Sequence, residues 1–108
     1  MINQEIIDEM TRRLVATYDP VVIYLFGSHA RGYASDDSDV DLAVVVDEIN
    51  EPRHKFVTKG LRALFDIGVG KDLVLYAQED FDTLKKENTT FAYQIVKNGK
   101  IIYAKANA

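Results

Sequence analysis

The chain has 108 residues, of which 47% are hydrophobic and 28% are charged, a composition that supports one core and one water-facing surface. Its 13 basic and 17 acidic residues give a formal net charge of −4, whereas domains that grip bare nucleic acid normally carry a basic excess. Cysteine is absent, which excludes disulfide and thiolate chemistry. We therefore expect a single domain over residues 1–108 with no direct nucleic-acid contact.

The sequence also lacks the patterns that direct a chain to a membrane. The apolar run over residues 42–46 is far shorter than the roughly 20 residues of a transmembrane helix. Residues 1–5 have neither the basic flank nor the apolar stretch of a signal peptide. The expectation is a cytoplasmic domain without a membrane partner.

The chain opens with the spacing of an amphipathic helix. The residue before Pro20 is disfavoured in the helical conformation, so this helix is predicted to end near Tyr18. Residues 21–26 are mostly β-branched or aromatic, which predicts a strand covered on both faces. The apolar stripe of the helix consists of Ile2, Ile6, Ile7, Met10 and Leu14.

Two small residues, Gly27 and Ser28, end that strand abruptly. A short helical turn with its histidine at the surface is predicted over residues 29–33, followed by a polar loop over residues 35–38. Residues 39–46 form the next strand, and its side chains must alternate between two faces. One face holds Asp39, Asp41, Ala43 and Val45, and the other holds Val40, Leu42, Val44 and Val46.

A second long helix is predicted after Pro52, because proline is favoured near a helix start. Gly68 and Gly70 are predicted to end it. Asn98 and Gly99 tolerate the left-handed conformation and are predicted to end the last helix. The buried stripe of the helix after Pro52 is predicted to consist of Val57, Leu61, Leu64 and Phe65.

The remaining elements complete an alternating pattern. Strands are predicted over residues 71–77 and 101–103, and a helical segment with a break near residues 88–90 over residues 79–97. Alternation of helices and strands predicts an α/β (α+β) fold in which a single mixed sheet of about four strands packs against helices.

The acidic residues at the start of the second strand suggest metal chemistry. Asp39 and Asp41 project from one face, roughly 6–7 Å apart. Two such carboxylates repel each other unless a cation lies between them, and oxygen ligands suit Mg²⁺. Taken alone, the pair is more simply explained as a solvated acidic approach to the strand.

Gly27 and Ser28 lie where a buried strand leads into a short helix. Exposed backbone N–H groups could accept a phosphate there, because Gly27 has no side chain to keep it away. Taken alone, a strand-to-helix turn with Ser28 as its N-cap is the simpler interpretation. The segment is not a P-loop, since Tyr33 and Ala34 stand where that motif needs Lys and Ser or Thr. The two features together are more informative than either one.

Gly27 and Ser28, followed after ten residues by Asp39 and Asp41, resemble the signature of the nucleotidyltransferase superfamily that includes DNA polymerase β. More narrowly, residues 26–32 and 38–42 are similar to the minimal nucleotidyltransferases (MNT). These are small single domains that often act as antitoxins beside HEPN-domain ribonuclease toxins. The resemblance extends over essentially the whole chain.

This resemblance implies transfer of AMP from ATP to a hydroxyl with two Mg²⁺ ions as cofactor, and a third carboxylate on a neighbouring strand. Asp72 occupies that position, although Lys71 stands before it where the family has an apolar residue. The antitoxin members imply a tyrosine of a HEPN toxin as acceptor, in a type VII-like toxin–antitoxin pair. The implied catalytic and metal-binding residues are Asp39, Asp41 and Asp72, and the implied nucleotide-binding residues are Gly27, Ser28 and Arg31.

Two other functions stay open at this point. An antitoxin could neutralise its partner by binding alone, without nucleotide chemistry. A small-molecule nucleotidyltransferase resembling the antibiotic-modifying kanamycin type is a further alternative, although its acceptor pocket normally needs a second domain. The presence of all three acids favours the protein-modifying enzyme.

Overall fold

The computed structural model describes residues 3–32, 34 and 38–106. The loop predicted at residues 35–38 therefore falls mostly outside the described residues, as do Ile2 and Tyr33. None of the helices in the described ranges combines the length and apolarity needed to cross a membrane. The elements are α1 (Gln4–Tyr18), β1 (Val22–Phe26), α2 (Gly27–Arg31), β2 (Val40–Val46), α3 (Arg53–Ala63), β3 (Lys71–Ala77), α4 (Gln78–Leu84), α5 (Phe91–Asn98) and β4 (Lys100–Ala104).

The four strands form one sheet in the order β3-β2-β1-β4. β1 runs antiparallel to β2 and to β4, while β2 and β3 are parallel and are joined through α3. The predicted fold, a mixed sheet of four strands packed against helices, is confirmed.

The first helix begins and ends as its sequence predicts. The side chain of Asn3 caps it by accepting a hydrogen bond from the N–H of Ile6 at 3.0 Å. The helix ends at Tyr18, and Asp19 then adopts the left-handed conformation with φ of 46°. This turn sends the chain towards Pro20 and the start of β1. The buried residues of α1 are Ile7, Met10, Leu14 and Tyr18.

The two faces of the sheet are covered unequally, and the predicted alternation along β2 is confirmed. The apolar face packs against α1 and α3 in one large cluster of buried residues. On the other face, Val45 packs with Phe81 of α4 and Ala92 of α5 in a much smaller cluster. The residues of β2 in the large cluster are Val40, Leu42, Val44 and Val46.

The third helix buries a narrower line of residues than the sequence predicts. Leu61 is 38% exposed and Phe65 is 84% exposed, so the predicted burial of these two residues is wrong. Gly60 is buried instead, because its lack of a side chain lets α3 lie against Tyr18. The Tyr18 hydroxyl oxygen accepts a hydrogen bond from the Gly60 N–H at 2.8 Å. This line consists of Val57, which is half-buried, and of Gly60 and Leu64, which are buried.

The helices next to the predicted glycine stops also differ from expectation. α3 ends at Ala63, before Gly68 and Gly70, so these glycines do not end it. α5 does end at Asn98, but Gly99 has φ of −87° and the predicted left-handed conformation is wrong. A Cβ at position 99 would overlap the carbonyl oxygen of the preceding helical turn. Glycine is needed there for space and not for an unusual backbone rotation.

Candidate active site

The sheet register places two of the three predicted acids side by side. Asp41 of β2 pairs directly with Asp72 of β3, and paired residues on adjacent strands point to the same face at a spacing of about 5 Å. Asp39 immediately precedes β2 and lies two residues from Asp41. The structure therefore pairs Asp41 with Asp72 and places Asp39 just before β2 at the same end of the sheet.

The electrostatics of Asp41 reflect this crowding. Burial is the largest cause that raises the pKa of the Asp41 carboxyl, and the charges of Asp72 and Asp39 raise it further. The electrostatic interaction with His29 lowers the pKa of Asp41. A raised carboxyl pKa is what neighbouring like charges produce without a counterion. The cluster is thus a place where a cation would be stabilised.

Gly27 packs directly against the Asp41 carboxylate. β1 pairs Phe26 with Asp41, so the next residue lies beside the acid. A Cβ on Gly27 would overlap Oδ2 of Asp41 and lie 3.1 Å from its Cγ, and the φ of Gly27 is +73°. Any other residue here would be strained in its backbone and would displace the carboxylate.

The helix α2 starts earlier than predicted, at Gly27 instead of residue 29. Its N-cap is Phe26, which makes no side-chain capping hydrogen bond, so the interpretation of Ser28 as the N-cap is wrong. Ser28 lies within the first turn, where backbone N–H groups have no partner inside the helix. The half-buried bend therefore presents both a hydroxyl and backbone donors beside Asp41.

Arg31 and Gly27 line the same small pocket between α2 and α5. Its volume is about 190 Å³. The ring of Phe91, which is 51% exposed, packs edge-on against Phe26 with 5.3 Å between ring centroids. Of the three residues that the sequence predicts to bind nucleotide, Gly27 and Arg31 line this pocket and Ser28 does not. The full lining is Phe26, Gly27, Arg31, Phe91, Gln94, Ile95 and Asn98.

Sequence reasoning missed two contacts around Asp39. His29, which was expected at the surface, is half-buried, and its Nε2 lies 3.1 Å from the carbonyl oxygen of Ser38. Gly70 was interpreted only as a helix stop, but it contacts Asp39, because a Cβ at position 70 would overlap Oδ1 of Asp39. The sequence held one signal of this contact. Gly70 stands two residues before Asp72, just as Asp39 stands two residues before Asp41, and the two strands are parallel.

The donors at this end of the sheet fit Mg²⁺ by their chemistry. All three are carboxylates, which this ion prefers, and it usually completes its coordination with water and substrate phosphates. Within the described ranges, no group of three His, Asp or Glu side chains is arranged to hold a metal ion. The fit to Mg²⁺ therefore rests on the type of ligand and on the pairing of Asp41 with Asp72.

The mixed sheet, the paired acids and the glycine bend are the features that the sequence analysis expects of a nucleotidyltransferase. Residues 8–108 match the family described as "Polymerase beta, Nucleotidyltransferase". The chain belongs to this family, and its enzyme class is nucleotidyltransferase.

Individual relatives agree with this assignment. The chain is 30% identical over 105 residues to a Methanocaldococcus jannaschii protein named as a protein adenylyltransferase, covering 95% of this chain and 100% of the relative. It is 25% identical to a chain in a crystal structure of a toxin–antitoxin with AMP-PNP, covering 91% of this chain and 73% of the other, with a TM-score of 0.60.

Two further solved structures share the fold at lower identity. One is a structure of a tri-AMPylated Shewanella oneidensis HEPN toxin in complex with an MNT antitoxin. A chain in that structure is 21% identical to this chain, with a TM-score of 0.59 and coverage of 96% of this chain and 74% of that one. A Sulfolobus solfataricus nucleotidyltransferase is 18% identical, with a TM-score of 0.60 and coverage of 94% and 79%.

Proposed function

We propose that this chain is a cytoplasmic, Mg²⁺-dependent protein adenylyltransferase that transfers AMP from ATP to a tyrosine of a HEPN-domain toxin and thereby acts as its antitoxin. The observation that carries the proposal is the pairing of Asp41 with Asp72 beside the Gly27 bend. This juxtaposition puts carboxylates next to backbone N–H donors, and the reaction requires groups of these two kinds to bind a metal and a phosphate.

The three acids would hold the metal. Asp41 lies in β2, Asp39 immediately precedes this strand, and Asp72 of β3 pairs with Asp41. When bound, Mg²⁺ would offset the charge of the triphosphate and favour the deprotonated acceptor oxygen. Burial is the main cause of the raised pKa of the Asp41 carboxyl, and the charges of Asp72 and Asp39 add to it; a cation would relieve this added repulsion.

The bend at the start of α2 would hold the phosphates. The backbone N–H groups of Gly27 and Ser28 in the first turn would donate hydrogen bonds to phosphate oxygens, and Ser28 would add its hydroxyl. Arg31 lines the adjoining pocket and would pair with a phosphate through its guanidinium. These groups would orient the α-phosphorus towards the acids.

In the proposed step, the acceptor oxygen forms a bond to the α-phosphorus of ATP. The bond from this phosphorus to the oxygen that bridges to the β-phosphate breaks, and pyrophosphate leaves. Asp72 accepts the hydroxyl proton. Asp72 is exposed and β3 is an edge strand, so a folded protein could bring its hydroxyl to this carboxylate.

The choice of a HEPN toxin as partner rests on the relatives. The 25% identical chain comes from a toxin–antitoxin complex with AMP-PNP, and the Shewanella oneidensis complex contains a tri-AMPylated HEPN toxin. The negative formal charge of −4 fits a protein acceptor better than nucleic acid.

The test offers a HEPN-domain toxin to this chain as the acceptor. With ATP and Mg²⁺, we expect the toxin to gain whole AMP units on a tyrosine in intact-mass and peptide mass spectra. Asp39→Asn should abolish the gain, whereas Asp19→Asn should not. Asp19 is a matched control, because it is an exposed acid far along the chain from the cluster and Asn tolerates its left-handed backbone.

Two results would contradict the proposal. One is an unmodified toxin in the presence of the wild-type chain. The other is full neutralisation of the toxin by Asp72→Asn, which would instead indicate an antitoxin that works by binding alone.

A further inference from the structure

We infer that Gly70 is a positioning residue, which sets the orientation of the Asp39 carboxylate by leaving it the space that any side chain would fill. The inference rests on the proposed function, because it gives Asp39 a role in binding a divalent cation. It concerns a residue that has no place in the Gly-Ser or Asp-x-Asp motifs.

Gly70 is held against the Asp39 segment by the backbone. It precedes β3, and its carbonyl oxygen accepts a hydrogen bond from the N–H of Val40 at 2.9 Å. This contact extends the parallel pairing of β2 and β3 by one step beyond Val40 and Lys71. The α-carbon of Gly70 therefore faces Asp39 at a fixed separation.

The space that Gly70 leaves open is occupied by the carboxylate itself. A Cβ at this position would overlap Oδ1 of Asp39 and would lie 3.0 Å from its Cγ. The Asp39 backbone is farther away, with its α-carbon at 3.8 Å. The added atom would thus meet the end of a rotatable side chain and not the main chain.

This requirement differs from that of Gly27. Among the described residues, the glycines with positive φ are Gly27 and Gly32, so the backbone of Gly70 is one that alanine can adopt. Alanine at Gly70 should therefore be relieved by rotation of the Asp39 side chain. The fold should persist while the carboxylate leaves its position near Asp41.

Gly68 supplies a matched control in the same segment. A Cβ at Gly68 would meet nothing within 4 Å, and its φ is not in the positive range. Gly68→Ala and Gly70→Ala make the same chemical change two residues apart. They differ in whether the new methyl group reaches Asp39.

The first measurement is the χ1 angle of Asp39, from three-bond NMR couplings without metal or nucleotide. We expect a changed χ1 population in Gly70→Ala and the wild-type value in Gly68→Ala. An unchanged χ1 in Gly70→Ala would overturn the inference. This measurement needs no activity, so it decides the inference even if the wild-type chain transfers no AMP.

The second measurement is the affinity for Mg²⁺, by calorimetric titration in the presence of a non-hydrolysable ATP analogue. Loss of a group that orients a metal ligand typically weakens binding about 10–100-fold, and this is the loss expected for Gly70→Ala. In an Asp39→Ala background, Gly70→Ala should have no further effect, because the side chain it displaces is gone. An equal loss in that background would overturn the inference, and absence of binding by the wild type would overturn the proposed metal role.

Discussion

The two faces of the sheet are packed to different degrees, and the difference separates stability from chemistry. Among the residues that the structure describes, thirteen buried residues form one cluster on the side of α1 and α3, whereas three form the cluster under α4 and α5. The acids of β2 and β3 belong to the second, lightly covered side. The large cluster allows the opposite face to keep charges that repel one another.

The acid cluster opposes folding at neutral pH. Because the pKa of the Asp41 carboxyl is raised in the folded chain, the unfolded chain loses this proton at lower pH. The contribution of Asp41 to the free energy of unfolding is therefore fully present below the unfolded pKa of about 3.9. It is lost as the pH rises through the folded-state pKa.

Removal of packing from the well-covered face should give the largest effect on folding. Leu42 is fully buried in the large cluster, so Leu42→Ala should lower the free energy of unfolding by about 2–5 kcal/mol. Denaturation with urea checks this, with Val96→Ala as the control because Val96 is 41% exposed and should change stability by less than about 0.5 kcal/mol. Equal losses in the two variants would remove the contrast between the faces.

A change on the acid-bearing face should lower activity and raise stability. Asp41→Asn should lower the rate of AMP transfer about 100–1000-fold, because in the proposed function it removes a ligand of the metal that stabilises charge in the transition state. The same variant should be more stable than the wild type at pH 7, and this difference should fade below about pH 4. Transfer of label from ATP and urea denaturation at several pH values check the two parts. A variant less stable than the wild type at pH 7 would contradict the account of Asp41.

The smallest expected effect concerns the junction of α1 with α3. Burial raises the pKa of the Tyr18 hydroxyl to about 12, while the unfolded value is about 10. The folded chain thus retains a proton that the unfolded chain loses, and stability should fall as the pH rises from about 10 to about 12.

Tyr18→Phe should lack this part of the alkaline decline, although it also loses the hydrogen bond from the hydroxyl to the carbonyl oxygen of Phe56 at 2.6 Å. Denaturation curves between pH 9 and pH 12 measure the difference. Parallel declines in the two proteins would show that Tyr18 does not titrate as expected.

Local patterns in the sequence predicted most of the elements and the residue types of the site. The spacing of Ile7, Met10 and Leu14 defines α1, and alternation along β2 assigns Asp41 and Leu42 to opposite faces. Such periodicities depend only on backbone geometry, so they can be recognised without knowledge of the neighbours. The predictions for α1 and β2 were confirmed, because the direction of each side chain there follows from the backbone of its own element.

Predictions failed where a close contact with a distant segment decided the outcome. The buried line of α3 passes through Gly60 and not Leu61, because the helix approaches Tyr18. Gly99 is required by the space around α5 and not by its own backbone. Neither contact has a signal in the spacing of apolar residues.

Periodicity and motif spacing were enough to predict the order of helices and strands, the acid-bearing face of β2 and a glycine bend where β1 ends. The pairing of Asp72 with Asp41 and the space that Gly70 leaves for Asp39 were visible only in the folded chain. The physical reason is that side-chain direction follows from the local backbone. Strand register and free space, in contrast, are set by packing between segments far apart in the chain.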